Sequence, residues 1–282
     1  MSLAVAGLYV YPLKSARGIS LKNAVVGPMG IRYDRQWVVT SEHGEFVAQR
    51  SDAGKGVGIK SMCLIRTEFR DRNLVLTAPG MGSLSVPLEG VDGPSVPVRV
   101  WKSSTSGIYQ GSLASKWVTE YLSKERPGKY RLVRMSEKTI RAPKLGSGQL
   151  AYADAYSFLV ISLSSLDDLN TRLTRAGHAA IPMDRFRPNI TLYGAVWYEE
   201  DRLSEFEIGS VKFYGQTLCV RCPITQTDQL TGVRHKTEPL RTLATYRRHP
   251  HGGVVFGKNF NHKGFGVISV GDLLKNVQKE IA

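Results

Sequence analysis

Through its first hundred residues the chain is cut into short segments of alternating or β-branched character: "LYVYPL", "RQWVVT", "EFVAQ", "NLVLTA", "SLSVPL" and "VPVRVW". Gly, Asp, Ser and Pro separate them, as in "APGMGS" and "VDGPS". This punctuation limits the fold more than any other feature. Segments of five or six residues with period two bury one face as strands, and turns this frequent leave no room for long helices. An antiparallel, barrel-like sheet is expected. One stretch departs from the pattern: "SLASKWVTEYLSK" (112–124) brings Leu113, Trp117, Val118, Tyr121 and Leu122 near one helical face, and Pro127-Gly128 ends it. The boundary is placed there, giving an N-terminal β unit over 1–125, a second unit over 126–275 and a tail over 276–282.

The second half begins with "YRLVRM" and a basic, glycine-containing loop, "KTIRAPKLGSGQ". "YSFLVIS" reads as a buried strand, and "SSLDDLNTRLTRAG" as an amphipathic helix capped by Ser164, with Asp167 in its first turn and Gly177 as its stop. "RFRPNITLYG" and "EFEIGSVKFYG" return to strand, the latter turning at Gly209-Ser210. "EPLRTLATYRR" is a short helix with Pro239 in its first turn. "GVVFGKNF" and "GVISVGDLL", with a Gly271-Asp272 turn, are strands again. The class is β-rich α+β with about three helices. No βαβ alternation and no glycine-rich phosphate loop is visible, which argues against nucleotide-binding α/β folds.

Three cysteines, Cys63, Cys219 and Cys222, are too few for a disulfide framework. Two of them lie together in "LCVRCPITQTD" (218–228). The pair reads as half a zinc site, a redox dithiol, a disulfide, a buried inert pair or one metal-binding thiolate with a neighbour. His235, His249, His251 and His262 follow at spacings that fit no zinc-finger pattern. Pro223 keeps Cys222 extended, and "CVRCPITQT" does not read as the helix start of a redox dithiol. A thiolate needs positive charge nearby, and Arg221 lies between the two cysteines, although in an extended segment it points away from Cys222.

Lys and Arg number 38 against 24 Asp and Glu, a formal net charge of +14. Such a surface attracts polyanions, but the charge is spread along the chain, with no helix-turn-helix, RNP motif or basic tail. No specific nucleic-acid binding is expected; an anionic cofactor or an acidic protein partner suits the charge as well. No apolar run is long enough to span a bilayer, and "MSLAVAGLYVYPLK" reads as a first strand rather than a signal peptide, so no membrane association and a cytoplasmic location are expected. Cations cluster in "VYPLKSARG" (10–18), "YDRQW" (33–37) and "MDRFRPNITLYG" (183–194), each with Ser, Asn or Pro beside them. Lys and Arg with hydroxyl and amide groups suit a phosphate attached to a polar heterocycle.

"YPLKSARGISL", "YDRQW", "FRPN", "CVRC" with "TG…EPLRTL" downstream, and "FGKNF" occur in that order. In that order they resemble the MOSC (molybdenum-cofactor sulfurase C-terminal) domain proteins, in particular bacterial members related to the mitochondrial amidoxime reducing component. The resemblance runs from about residue 5 to 275. It implies a MOSC-type β-barrel preceded by a barrel-like MOSC_N domain. It also implies the molybdenum cofactor (Mo-molybdopterin), with pyridoxal phosphate not required and Cys222 as the protein ligand to the metal. Lys14, Ser15, Arg35, Asp154, Arg187, Asn189, Arg221 and Asn259 match the family's cofactor-holding positions. Lys14, Arg35 and Arg187 would neutralise the phosphate, Asn189 and Asp154 would bond the pterin, and Asp154 or water would manage protons. Cys219 becomes a neighbour. The implied activity is reduction of small N-hydroxylated compounds (hydroxylamines, amidoximes, N-hydroxylated nucleobases). The ferredoxin domain fused to some bacterial members has no counterpart here, so a separate donor, a flavoprotein reductase or ferredoxin-like protein, is expected. The alternative within the resemblance is a cofactor carrier or sulfur-transfer protein without turnover. Ser157 stands where relatives often have proline, and "PHGGVV" (250–255) is this chain's own loop.

Overall fold

The run Phe158–Ser162 is apolar on both faces, and the computed structural model, which describes residues 2–50, 57–90, 92–136 and 139–280, shows why. Alternation sends Phe158 and Val160 into a barrel core with Leu8, Ile190, Phe206, Phe213 and Phe260. Leu159 and Ile161 face the other way, against Leu166, Leu169 and Leu173 of the helix Leu163–Arg175. The strand is therefore covered on both sides. Val91 of the "VDGPS" turn, Lys138 at the start of the basic loop, and residues 1 and 281–282 lie outside the described residues.

The strand lies inside an eight-stranded, curled sheet. Its order is Ile19–Leu21, Ala4–Val10, Ile190–Tyr193, Phe158–Ser162, Val255–Lys263, Val211–Val220, Leu203–Ile208 and Lys275–Lys279. The four-stranded sheet holds Ser95–Val100, Ser103–Tyr109, Tyr130–Met135 and Trp37–Ser41. Pairing crosses the division expected near residue 125 in both directions. Ala4–Val10 pairs with Ile190–Tyr193, and Tyr130–Met135 pairs with Trp37–Ser41. Phe158–Ser162 and Ile190–Tyr193 run parallel, joined through the helix Leu163–Arg175. This is one βαβ unit where the sequence shows no such alternation. A single crossover interrupted by the loop holding Pro182 leaves no repeating pattern to read.

Three α-helices occur among the described residues: Gly111–Leu122, Leu163–Arg175 and Leu240–Leu243. In the first, Leu113 is 73% exposed, against the expectation that it is buried. The buried stripe runs instead through Ala114, Trp117, Val118, Tyr121 and Leu122, a steady three-four spacing that Leu113 breaks. In the second, the cap is Ser162 and not Ser164. The Ser162 hydroxyl accepts from the Ser165 amide at 3.2 Å, because the helix begins one residue earlier than the polar run suggests. Gly177, at φ +79°, takes the left-handed turn that ends it.

His262 is built into the barrel wall. Its Nε2 bonds the Gly27 carbonyl at 2.8 Å, its ring meets the Phe158 ring edge-on, and its Nδ1 is buried without a partner. Burial lowers its pKa from 6.5, because a second ring proton would point into apolar surroundings. The unfolded chain then binds the proton more tightly than the folded one. The contribution to stability is full above about pH 6.5 and is lost as pH falls through the lowered folded value. Unfolding temperatures from acid to neutral pH are expected to fall more steeply in acid for the wild type than for His262→Gln. Parallel curves would show that His262 does not titrate between the two states.

Candidate active site

The strand Val211–Val220 loses regular register with Val255–Lys263 after Gly215, and Val220 opposite Val255 is its last pair. Arg221 keeps one backbone bond, to the Val254 carbonyl at 2.8 Å. Cys222 is extended, at φ −113° and ψ 169°, and Pro223 opens a short 3-10 turn, Pro223–Gln226. The expectation that no helical turn starts here is therefore corrected. Proline suits the first turn of a helix, where its missing N–H is not needed, and Cys222 occupies the cap position. The Arg221 guanidinium reaches back to Cys219 Sγ (2.9 Å) and to the Phe186 carbonyl (2.7 Å), so it turns away from Cys222.

Cys63, Cys219 and Cys222 are all free. Cys63 is fully buried, and burial raises its thiol to about 11. His235 Nδ1 accepts from the Thr237 and Glu238 amides, and His249 Nδ1 accepts from the His251 amide. Among the described residues no three His, Cys, Asp or Glu side chains gather as a metal site.

The cations come from elsewhere in the chain. After the first strand, Lys14 and Ser15 lie beside Trp37–Ser41, where the Lys14 amide bonds the Trp37 carbonyl. The Lys14 ammonium bonds the Tyr152 carbonyl at 2.9 Å and pairs with Asp154 Oδ1. The Trp101 indole donates to the same oxygen at 2.9 Å, and Oδ2 has no hydrogen-bond partner among the described residues. The Asp154 side chain is more than half exposed. Loss of water around it would raise its carboxyl, but the Lys14 ammonium and the Trp101 indole hold it below the usual carboxylate range. Burial lowers the Lys14 ammonium, and Asp154 partly restores it.

Arg35 and Arg187 both lie over the ring of Tyr11, at 4.4 and 4.3 Å from its centroid. The Tyr11 hydroxyl is anchored on the Pro188 carbonyl. Arg35 bonds Asp34 (2.5 Å) and Asn189 Oδ1 (3.0 Å), and Arg187 bonds the Ala16 carbonyl (2.6 Å). Burial lowers the Arg187 guanidinium to about 10. Both ends of the Asn189 amide are engaged by the protein: Oδ1 also takes the Leu159 amide, and Nδ2 donates to the Tyr9 carbonyl. Ser15, Arg35 and Arg187 have φ of 70°, 49° and 57°, a left-handed backbone that side-chain-bearing residues rarely adopt. Strain of this kind gathers where the fold must aim side chains at one point.

They point into one cavity of about 350 Å³. Lys14, Ser15, Arg35, Asp154, Arg187, Asn189, Arg221, Cys222 and Asn259, from six separate stretches of chain, all line it. Sequence reasoning missed Lys144 and Tyr156, which share the lining, and the supports Tyr11, Asp34 and Trp101. Lys144 lies in the loop noted as basic and glycine-containing, without any one of its cations being singled out. Tyr11 and Asp34 lie within motifs that were quoted for their cations. Two polar atoms of the lining residues, Tyr156 Oη and Arg221 Nε, are buried without hydrogen-bond partners. A cationic cleft lined by two free thiols, Cys219 bonded by Arg221 and Cys222 not, together with unpaired donors fits an anionic group that carries a soft metal.

Residues 2–125 match the MOSC N-terminal beta barrel domain family and residues 147–275 the MOSC domain family. Mitochondrial amidoxime-reducing component 1 of Mus musculus is 34% identical over 95% of this chain and 80% of its own length. Mitochondrial amidoxime reducing component 2 of Bos taurus is 33% identical, and that of Homo sapiens 34%, each over 86% of this chain and 72% of its own length. No helix among the described residues is long and apolar enough to cross a membrane.

Proposed function

The chain belongs to the MOSC-domain family that includes the amidoxime reducing components, and from that membership we propose that it is a molybdenum-cofactor-dependent oxidoreductase of small N-hydroxylated compounds. One observation supports the reading: six distant stretches bring the thiols of Cys219 and Cys222, a carboxylate and a set of cations to one cleft. When bound, the molybdenum–pterin group supplies the two electrons that, with two protons, turn an N–OH group into N–H and water.

Cys222 is the protein's soft donor to the metal, and its thiol makes no hydrogen bond among the described residues. Arg35, Arg187 and Lys14 hold the phosphate, and Ser15 and Asn259 complete the wall. Asn189 contributes by fixing Arg35. Asp154, held ionised, offers Oδ2 to accept a pterin N–H, while its lowered pKa leaves proton transfer during turnover to water. Arg221, tied to Phe186, steadies the segment that presents Cys222. Electrons come from a separate acidic donor protein, drawn by the +14 surface.

Protein purified from a host that makes the cofactor, given a chemical reductant and benzamidoxime, is expected to release benzamidine. A molybdenum-loaded protein that leaves benzamidoxime intact would overturn the reading in favour of a carrier.

A further inference from the structure

The cleft contains more positive charge than its own carboxylate balances. Among the described residues five cationic side chains line it, Lys14, Arg35, Lys144, Arg187 and Arg221, against one carboxylate, that of Asp154. Four of the five are committed to the protein. Lys14 holds Asp154, Arg35 holds Asp34 and Asn189, Arg187 holds the Ala16 carbonyl, and Arg221 holds the Phe186 carbonyl. Lys144 is different. Its side chain is exposed, and its ammonium has no ion pair or hydrogen bond among the described residues.

Its backbone, in contrast, is fastened down. The Lys144 amide donates to the Ala155 carbonyl at 3.0 Å, and Asn261 Nδ2 donates to the next carbonyl, that of Leu145, at 2.7 Å. Gly146 then packs so closely that a Cβ there would lie 2.8 Å from the Asn261 amide and 2.9 Å from Gln216. The loop thus holds the Lys144 backbone at the cleft and leaves the ammonium free to meet a ligand. Leu218, Val220 and Ile224 line the same cleft, with Val220 about half exposed, so an apolar body is accommodated in the space that the free ammonium reaches.

We propose that Lys144 is a specificity-determining residue that selects N-hydroxylated substrates carrying an anionic group, a carboxylate or a phosphate, on an apolar body. The inference rests on the reductase reading of the cleft. The more buried cations serve the cofactor; the exposed one serves the molecule that enters and leaves. Its attraction raises the encounter rate of anionic substrates and is screened by salt.

The test uses the cofactor-loaded protein and two probes, benzamidoxime and 4-carboxybenzamidoxime. Dissociation constants are measured without reductant, then kcat/KM with it. Wild type is expected to bind the carboxylated probe about fivefold more tightly, the upper range for one partly solvated ion pair. Lys144→Ala is expected to bring the two probes to near parity, Lys144→Arg to restore the preference, and added salt to erode it in wild type alone. Equal affinities in wild type, or a preference that survives Lys144→Ala, would overturn the assignment. So would loss of molybdenum from Lys144→Ala, which would make Lys144 a cofactor contact. Failure of the underlying reading looks different: the binding preference and its loss in Lys144→Ala persist, while neither probe is reduced.

Discussion

Cys222→Ala is expected to yield a folded protein that holds no molybdenum and reduces no N–OH bond, while Cys219→Ala keeps most of both. The two sulfurs sit three residues apart but in different company. Cys222 caps a short turn through its backbone carbonyl, which accepts from Thr225, and its thiol makes no hydrogen bond among the described residues. Removing it takes away the proposed ligand and should cost more than the roughly 10–100-fold that losing an outer-shell partner costs. Cys219 Sγ accepts one bond from Arg221, which retains its hold on the Phe186 carbonyl. Its loss loosens Arg221 without releasing it. Metal analysis beside benzamidoxime turnover separates the cases, and equal loss in both variants would return the pair to a shared-cysteine site.

Arg187→Ala is expected to weaken cofactor retention by on the order of a hundredfold, the range found when one partner of a desolvated charge pair is truncated. Burial already lowers this guanidinium to about 10, and the phosphate proposed for the site would supply it with a counter-charge. Arg187→Lys should rescue only part of the loss. An ammonium lacks the planar fork that bonds the Ala16 carbonyl, lies over Tyr11 and grips a phosphate at once. The measurement is the molybdenum-to-protein ratio after gel filtration, with unfolding temperature as the control. Unchanged metal content in Arg187→Ala would remove it from the phosphate site.

The strands were legible because alternation survives in one sequence: "YSFLVIS", "EFEIGSVKFYG" and "GVVFGKNF" each lie where a strand is found. Ser162 was not legible as a cap, because it ends an apolar run and reads as part of the strand. Nor was the exposure of Leu113, since helical period alone does not say which leucine meets the sheet. The cleft residues were reachable only through the order of several motifs. Nothing local tells that Lys14 meets Asp154 across 140 residues, or that Trp101 supports the same carboxylate. Lys144 escaped because its loop resembles any solvated basic loop, and only its backbone bonds distinguish it.

The strand Ala4–Val10 lies between Ile19–Leu21 and Ile190–Tyr193. Its longer neighbour is translated long after it. Lys14 and Ser15 hang from the end of that waiting strand, so the pincer they form with Arg187 cannot close on a nascent chain. Capture of the cofactor by the full cleft therefore has to wait until Asn259, the last of these cleft residues in the chain, has been made.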